Sequence, residues 1–218
     1  MKKSVIIYIG LIFILISCSK NKLNEVVEMC ICDVTEHYIA STDEVENKTK
    51  VFTFKNSPVF ELGVSKKSFA TSAALYLNRN WDLESFPYIK INIQDSKSST
   101  QTTAFEYSQA ELNKLTPDYL RILDFINSFV SNIYQKNYQE TKRFVDVEMD
   151  LKEFSTIIDQ VRTGLEDDYI NTKIVGYNKK DSIYNIYGGV WTKNETLDLF
   201  RMTLKNTNEG LMITSFEF

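Results

Sequence analysis

The sequence is poor in the residues on which most enzyme sites depend. It has one histidine, 7 glycines, 3 prolines, 2 tryptophans and 3 cysteines in 218 residues. With His37 as the sole imidazole, a Ser-His-Asp triad has one candidate base, and no G-x-S-x-G turn accompanies it. The glycines never fall in G-x-G-x-x-G spacing, so no phosphate-cradling loop can be read. A Cys/His metal centre could draw only on Cys30, Cys32 and His37, and only if the chain folded back on itself. Positive charge is scarce as well: 25 Lys and Arg face 29 Asp and Glu, with no basic stripe. Nucleic-acid binding, which relies on cations neutralising phosphates, is thereby excluded. Adjacent acids occur at Asp43-Glu44 and Asp167-Asp168, where they read as solvated side chains and not as a catalytic pair. No catalytic residue, metal ligand or cofactor site is assigned. Low proline and 43% hydrophobic residues instead describe a globular chain.

Long apolar runs are missing too, and the one short run is informative. Lys2 and Lys3 precede an uncharged segment from Val5 to Ile16. Crossing a bilayer takes about 20 apolar residues, so this segment is too short to span and has the length of a signal-peptide core. It ends in Leu15-Ile16-Ser17-Cys18, a small residue followed by cysteine. The arrangement resembles a bacterial lipoprotein signal peptide with its lipobox. The resemblance implies cleavage between Ser17 and Cys18 and a diacylglycerol group on the Cys18 sulfur, with membrane lipid as the first partner. Two or more acyl chains anchor a protein stably. Ser19 after the lipidated cysteine implies the outer membrane in a Gram-negative cell. Residues 1–17 are then removed, and residues 18–24 form the lipidated tether.

Residues 25–115 read as a small α+β region. Val26, Val27, Cys30, Val34 and Tyr38 fall at helical spacing, so a helix is expected over residues 24–40. A buried strand is the competing reading for that stretch. On a helix, Cys30 and Cys32 point in nearly opposite directions, and on a strand their separation is near the limit for a disulfide. Two free thiols, one in the core and one partly exposed, are therefore expected. Residues 43–50 are charged and loop-like, 49–55 strand-like, and Ser65 caps a helix running to Asn80 with Phe69, Ala73, Tyr76 and Leu77 on one face. A hairpin follows, with strands over 86–93 and 102–107 joined by the polar loop at 95–100.

Ser108-Gln109-Ala110-Glu111 matches a capping box. Its helix is expected to stop near Leu115, and Thr116-Pro117-Asp118 to start another, which sets a boundary between 25–115 and 116–218. That second helix carries the longest apolar stripe in the chain: Tyr119, Ile122, Leu123, Ile126, Phe129, Val130, Ile133 and Tyr134. Asp150 and Glu153 open a further helix. Four strands end the chain, over 169–177, 182–191, 196–205 and 211–218, and their short connections favour antiparallel neighbours. Gly188-Gly189 is read as a bulge or bend in the second of them.

Helix, short link, helix and antiparallel meander, with the Asn137-Tyr138 turn after the first helix, resembles the NTF2-like (cystatin-like) α+β superfamily. The resemblance implies a curved antiparallel sheet wrapped around a long helix over residues 116–218. It also implies a cone whose mouth Tyr177, Tyr184, Tyr187 and Trp191 could line. Enzymes of that superfamily place Asp, His or Tyr inside the cone; His37 lies outside the resembling region, so no histidine carries over. The functional expectation is a membrane-anchored envelope lipoprotein acting as a non-enzymatic binding or accessory module, its partner an envelope protein or a small ligand. An inhibitor or immunity-type lipoprotein is the alternative, and a small hydrolase or isomerase using the cone is a third reading.

Overall fold

A computed structural model describes residues 24–39, 48–95, 101–165 and 169–218. Ser17, Cys18, Ser19, and the acid pairs Asp43-Glu44 and Asp167-Asp168 lie outside the described residues.

Residues 24–30 are helical, α1, and bury Val26, Met29 and Cys30. The helix expected to reach residue 40 ends there, because Ile31 takes φ +48° and turns the chain. Strand β1, Asp33–Ile39, follows, with its Val34, Thr35 and Ile39 suited to a pleated backbone. The turn also corrects the reading of the cysteines. Cys30 and Cys32 are joined in a disulfide with Cα atoms 5.1 Å apart. A left-handed residue between them provides an approach that neither a regular helix nor a regular strand offers.

Strand β2, Thr49–Lys55, is followed by a 3-10 turn over Pro58–Phe60 and by α2, Lys66–Asn80. Ser65 caps α2 by accepting from the Ser68 N–H, as expected. Helix α2 then returns the chain to β3, Tyr88–Gln94, which pairs parallel to β2, and β4, Thr103–Ser108, closes a hairpin with β3. The first sheet therefore has the order β1-β2-β3-β4 with one parallel step. A helical crossover is what such a step needs.

Helix α2 shows no clean apolar stripe because it is covered on more than one side. Phe69, Ala70, Ala73, Ala74, Leu75 and Leu77 are all buried, packed against β3 on one side and β5 on the other. Its three alanines let the neighbouring layers approach closely.

Helix α3 runs unbroken from Gln109 to Tyr134. The stop expected at Leu115 and the restart at Thr116 do not occur, so the boundary placed there falls inside one helix. Pro117 lacks the N–H that would bond the Asn113 carbonyl, yet the Thr116 hydroxyl bonds the Leu112 carbonyl at 2.7 Å and the helix continues. Its Ser108 capping box is complete, and Tyr119, Ile122, Ile126, Phe129, Val130 and Ile133 are buried as the stripe required.

Short α4, Tyr138–Lys142, leads to α5, Leu151–Thr163, whose cap Asp150 accepts from the Glu153 N–H at 2.8 Å. The chain ends in an antiparallel meander of β5 (Tyr169–Lys180), β6 (Ile183–Thr192), β7 (Leu197–Thr207) and β8 (Gly210–Glu217). The molecule is α+β, with two mostly antiparallel sheets. Buried side chains from both halves join in a single core.

The bulge expected at Gly188-Gly189 lies instead on β5, where the register shifts between Ile174 and Gly176 opposite Gly188 and Tyr187. The two glycines have a packing role. A Cβ on Gly188 would stand 2.1 Å from the Phe200 ring, and one on Gly189 would stand 2.3 Å from the Leu197 side chain.

Candidate functional site

Alternation along β6 divides the four aromatic residues that the sequence grouped. Tyr184 shares a face with Ile186 and Val190 and is buried; Tyr187 and Trp191 point the other way and are half-buried. Tyr177 on β5 is buried too, its ring 6.1 Å from that of Tyr119 on α3 and 6.4 Å from that of Tyr184. Helix α3 thus packs against this side of the sheet, with Phe129 against Phe216 at 5.1 Å, and a hollow of about 210 Å³ stays open beside that pair, lined by Met149, Phe154 and Ile158 and by Ile213 on β8. Tyr177 and Tyr184 belong to the core. Trp191 lines a different hollow, with Ile31, Ile170 and Lys193. Of the four, Tyr187 alone lines the cavity described next.

That cavity, about 300 Å³, is built on Tyr187, Leu199 and Arg201, which alternate with the residues facing α3, and also reaches Gly188, Phe200 and Phe218. Its base is one register row across four strands: Gly176 on β5 opposite Tyr187 on β6, then Arg201 on β7, then Glu217 on β8. Leu199, two residues before Arg201, shares that face. The segment from Pro58 to Ser65 lies over the row. Val59 and Val64 are buried and hold it down, with the Val64 N–H bonded to the Val59 carbonyl at 3.3 Å. Between them Gly63 adopts φ +89°, a conformation that glycine takes without steric cost, and Leu62 is left 58% exposed. Val64 can settle on β5 because Gly176 has no side chain. Leu62, Val64, Leu199 and Phe218 make the walls apolar.

Charge enters through Arg201. Its guanidinium carbon lies 5.0 Å from the Tyr187 ring centroid, a cation–π contact that holds the group over the ring face. Among the described residues no carboxylate forms an ion pair with it. Glu217 faces the same cavity as Arg201's cross-strand neighbour. No sequence signal singled out Arg201, Leu62 or Glu217, since their convergence depends on strand register and on a loop from the other half of the chain.

A second polar group stands on the α3 side of the sheet, near the turn that joins β5 to β6. The Asp118 carboxylate accepts from Lys179 at 2.5 Å, from Arg121 at 3.2 Å and from the Tyr184 hydroxyl at 3.3 Å. Arg121 also donates to the Tyr184 hydroxyl at 3.0 Å and to Asn206 at 3.1 Å. The Lys179 hydrogen bond is the main cause that holds the Asp118 carboxyl below its usual pKa, and the same bond raises that of Lys179. Burial pushes the Tyr177 hydroxyl upward, with the Asp118 charge adding to it. Asp118, Arg121, Lys179 and Tyr184 satisfy one another and tie α3 to the sheet, whereas the buried Tyr177 hydroxyl has no hydrogen-bond partner among the described residues.

His37 is exposed on β1 opposite Val51, with the disulfide consuming both thiols that might have joined it as ligands. Among the described residues no group of three or more His, Cys, Asp or Glu is placed to hold a metal ion. Among them, too, no helix is long and apolar enough to cross a membrane.

No family model matches the chain, and no curated protein matches it. Among solved structures, a Campylobacter jejuni protein described as an NTF2-like transpeptidase aligns with 42% of this chain and 95% of its own length, at 11% identity and a TM-score of 0.36.

Proposed function

We propose that this chain is a bacterial cell-envelope lipoprotein, held on the membrane by acyl groups on Cys18, whose folded part is a non-enzymatic binding module. The finer fold reading is NTF2-like, supported by the order α3, α4, α5 and then the β5–β8 meander. The observation that carries the binding role is the cavity beneath the Pro58–Ser65 segment: a roughly 300 Å³ space with apolar walls and one guanidinium. A few placed polar groups in an apolar hollow is the usual build of a small-molecule site. A small ligand is favoured over a protein partner because about 300 Å³ is the volume of a small-molecule site. The Lys2-to-Cys18 pattern supports the anchor, and Ser19 supports outer-membrane placement in a Gram-negative host.

Two measurements test this. Metabolic labelling with an alkyne fatty acid should mark the wild-type chain and not Cys18→Ser, which should accumulate as precursor; persistent labelling ends the anchor assignment. Native mass spectrometry of protein drawn from membranes should find a small-molecule adduct that Leu199→Trp, which fills the cavity, no longer carries. An adduct retained in a folded Leu199→Trp protein removes the cavity as the binding site.

A further inference from the structure

Resting on the reading of this cavity as a ligand seat, we propose that it takes a small monocarboxylic acid with an apolar body. The carboxylate sits on Arg201, and the body lies among Leu62, Val64, Leu199 and Phe218. Tyr187, Leu199 and Arg201 alternate with the residues that face α3, so the guanidinium lies away from the side on which Tyr119, Phe129, Tyr177 and Tyr184 pack.

Three observations converge. First, Arg201 is a cation without an ion-pair partner among the described residues, and its contact with the Tyr187 ring at 5.0 Å holds it at the cavity. A guanidinium with no carboxylate partner keeps its N–H fork for a ligand, and that fork matches the two oxygens of a carboxylate. Secondly, apart from Glu217 and the Tyr187 hydroxyl the side chains around it are apolar, so a purely polar anion would gain its charge contact and nothing from the walls. An apolar body instead gains by leaving water. Thirdly, Glu217 occupies the next position in the same row. Its charge opposes a second negative charge on the ligand, which disfavours phosphates and dicarboxylates. Only one cation lines the cavity. A volume near 300 Å³ lies at the small end of ligand sites, enough for a phenyl-bearing or short branched acid.

The probes are 3-phenylpropanoate and its neutral amide, titrated into the purified full-length chain. Calorimetry gives the affinity, and methyl NMR shifts of Leu62, Val64 and Leu199 give the location. The acid should bind at least about tenfold more tightly than the amide, as expected for a charge-assisted hydrogen-bonded pair. Arg201→Gln should bring the acid down to the level of the amide and leave the amide unchanged. Arg201→Lys should restore part of the preference, and Glu217→Gln should tighten the acid. Arg201 and Glu217 are exposed, so these variants are expected to fold; circular dichroism checks this. Equal binding of acid and amide, or an acid preference that survives Arg201→Gln, overturns the carboxylate inference, while cavity methyl shifts with the amide keep the ligand seat. If neither compound moves those methyls, both readings fall.

Discussion

Val64 rests on the bare backbone of Gly176: a Cβ at Gly176 would come within 3.0 Å of a Val64 γ-methyl and 3.3 Å of the Tyr187 side chain. One contact thus joins the loop of the first half of the chain to the second sheet and positions the roof of the cavity. Gly176→Ala should push Val64 away, at a cost of about 1 kcal/mol, the low end for overpacking. A lowered urea midpoint with unchanged slope would record this, together with shifts of the Leu62 and Val64 methyls.

Gly188→Ala is expected to be more severe. Three atoms of the Phe200 ring stand 2.1 to 2.7 Å from the added Cβ, and neighbouring Phe216 and Phe218 rings crowd that ring in turn. A loss of about 2–3 kcal/mol is expected. Phe200→Leu in the same chain should recover part of it, and a double-mutant cycle in denaturant measures the coupling.

The disulfide between Cys30 and Cys32 gives a prediction about thiols. Denatured protein without reductant should leave Cys30 and Cys32 unalkylated, and reduction should expose both, read as a mass increase of two alkyl groups. Because the closed loop is so short, the chain-entropy model assigns it only about 1.5 kcal/mol. Cys30→Ser with Cys32→Ser should lower stability by about that amount, without unfolding the protein.

Asp118 connects stability to pH. Its folded pKa is lowered, so its contribution is complete above the unfolded value near 3.9 and is lost as pH falls through the folded value. Lys179 shifts upward, so its contribution is complete below its unfolded value near 10.4 and is lost as pH rises through the folded one. Asp118→Asn should therefore cost up to about 1 kcal/mol between pH 6 and 9, and the gap from wild type should close below pH 4. Thermal melts across pH would show it; a gap that widens in acid contradicts the assignment.

Pro117 offers the opposite sign. It is exposed in an otherwise continuous helix. Pro117→Ala restores the missing N–H, so a gain of about 1–3 kcal/mol is expected after the entropy that proline removes from the unfolded chain is allowed for. A raised urea midpoint is the readout.

Local chemistry was legible in the sequence: the caps at Ser65, Ser108 and Asp150, the stripe from Tyr119 to Ile133, and the four-strand meander with its short turns. Each depends on residues within a few positions of one another. Signals with two outcomes failed. Thr116-Pro117 has the chemistry of a helix start, yet α3 runs through it. Spacing alone could not pair Cys30 with Cys32, because the pairing requires Ile31 to turn left-handed.

By itself, then, the sequence determined the α+β class, the helix caps at Ser65, Ser108 and Asp150, and the strands of the closing meander. Those follow from charge, periodicity and caps. Tertiary structure decided the parallel pairing of β2 with β3, the burial of α2 between layers, and the division of Tyr177 and Tyr184 from Tyr187 and Trp191. It also brought Leu62 and Val64 over Arg201, residues more than 130 positions apart. Such contacts arise from strand register and sheet packing, which are properties of the whole chain and leave no trace in any one segment.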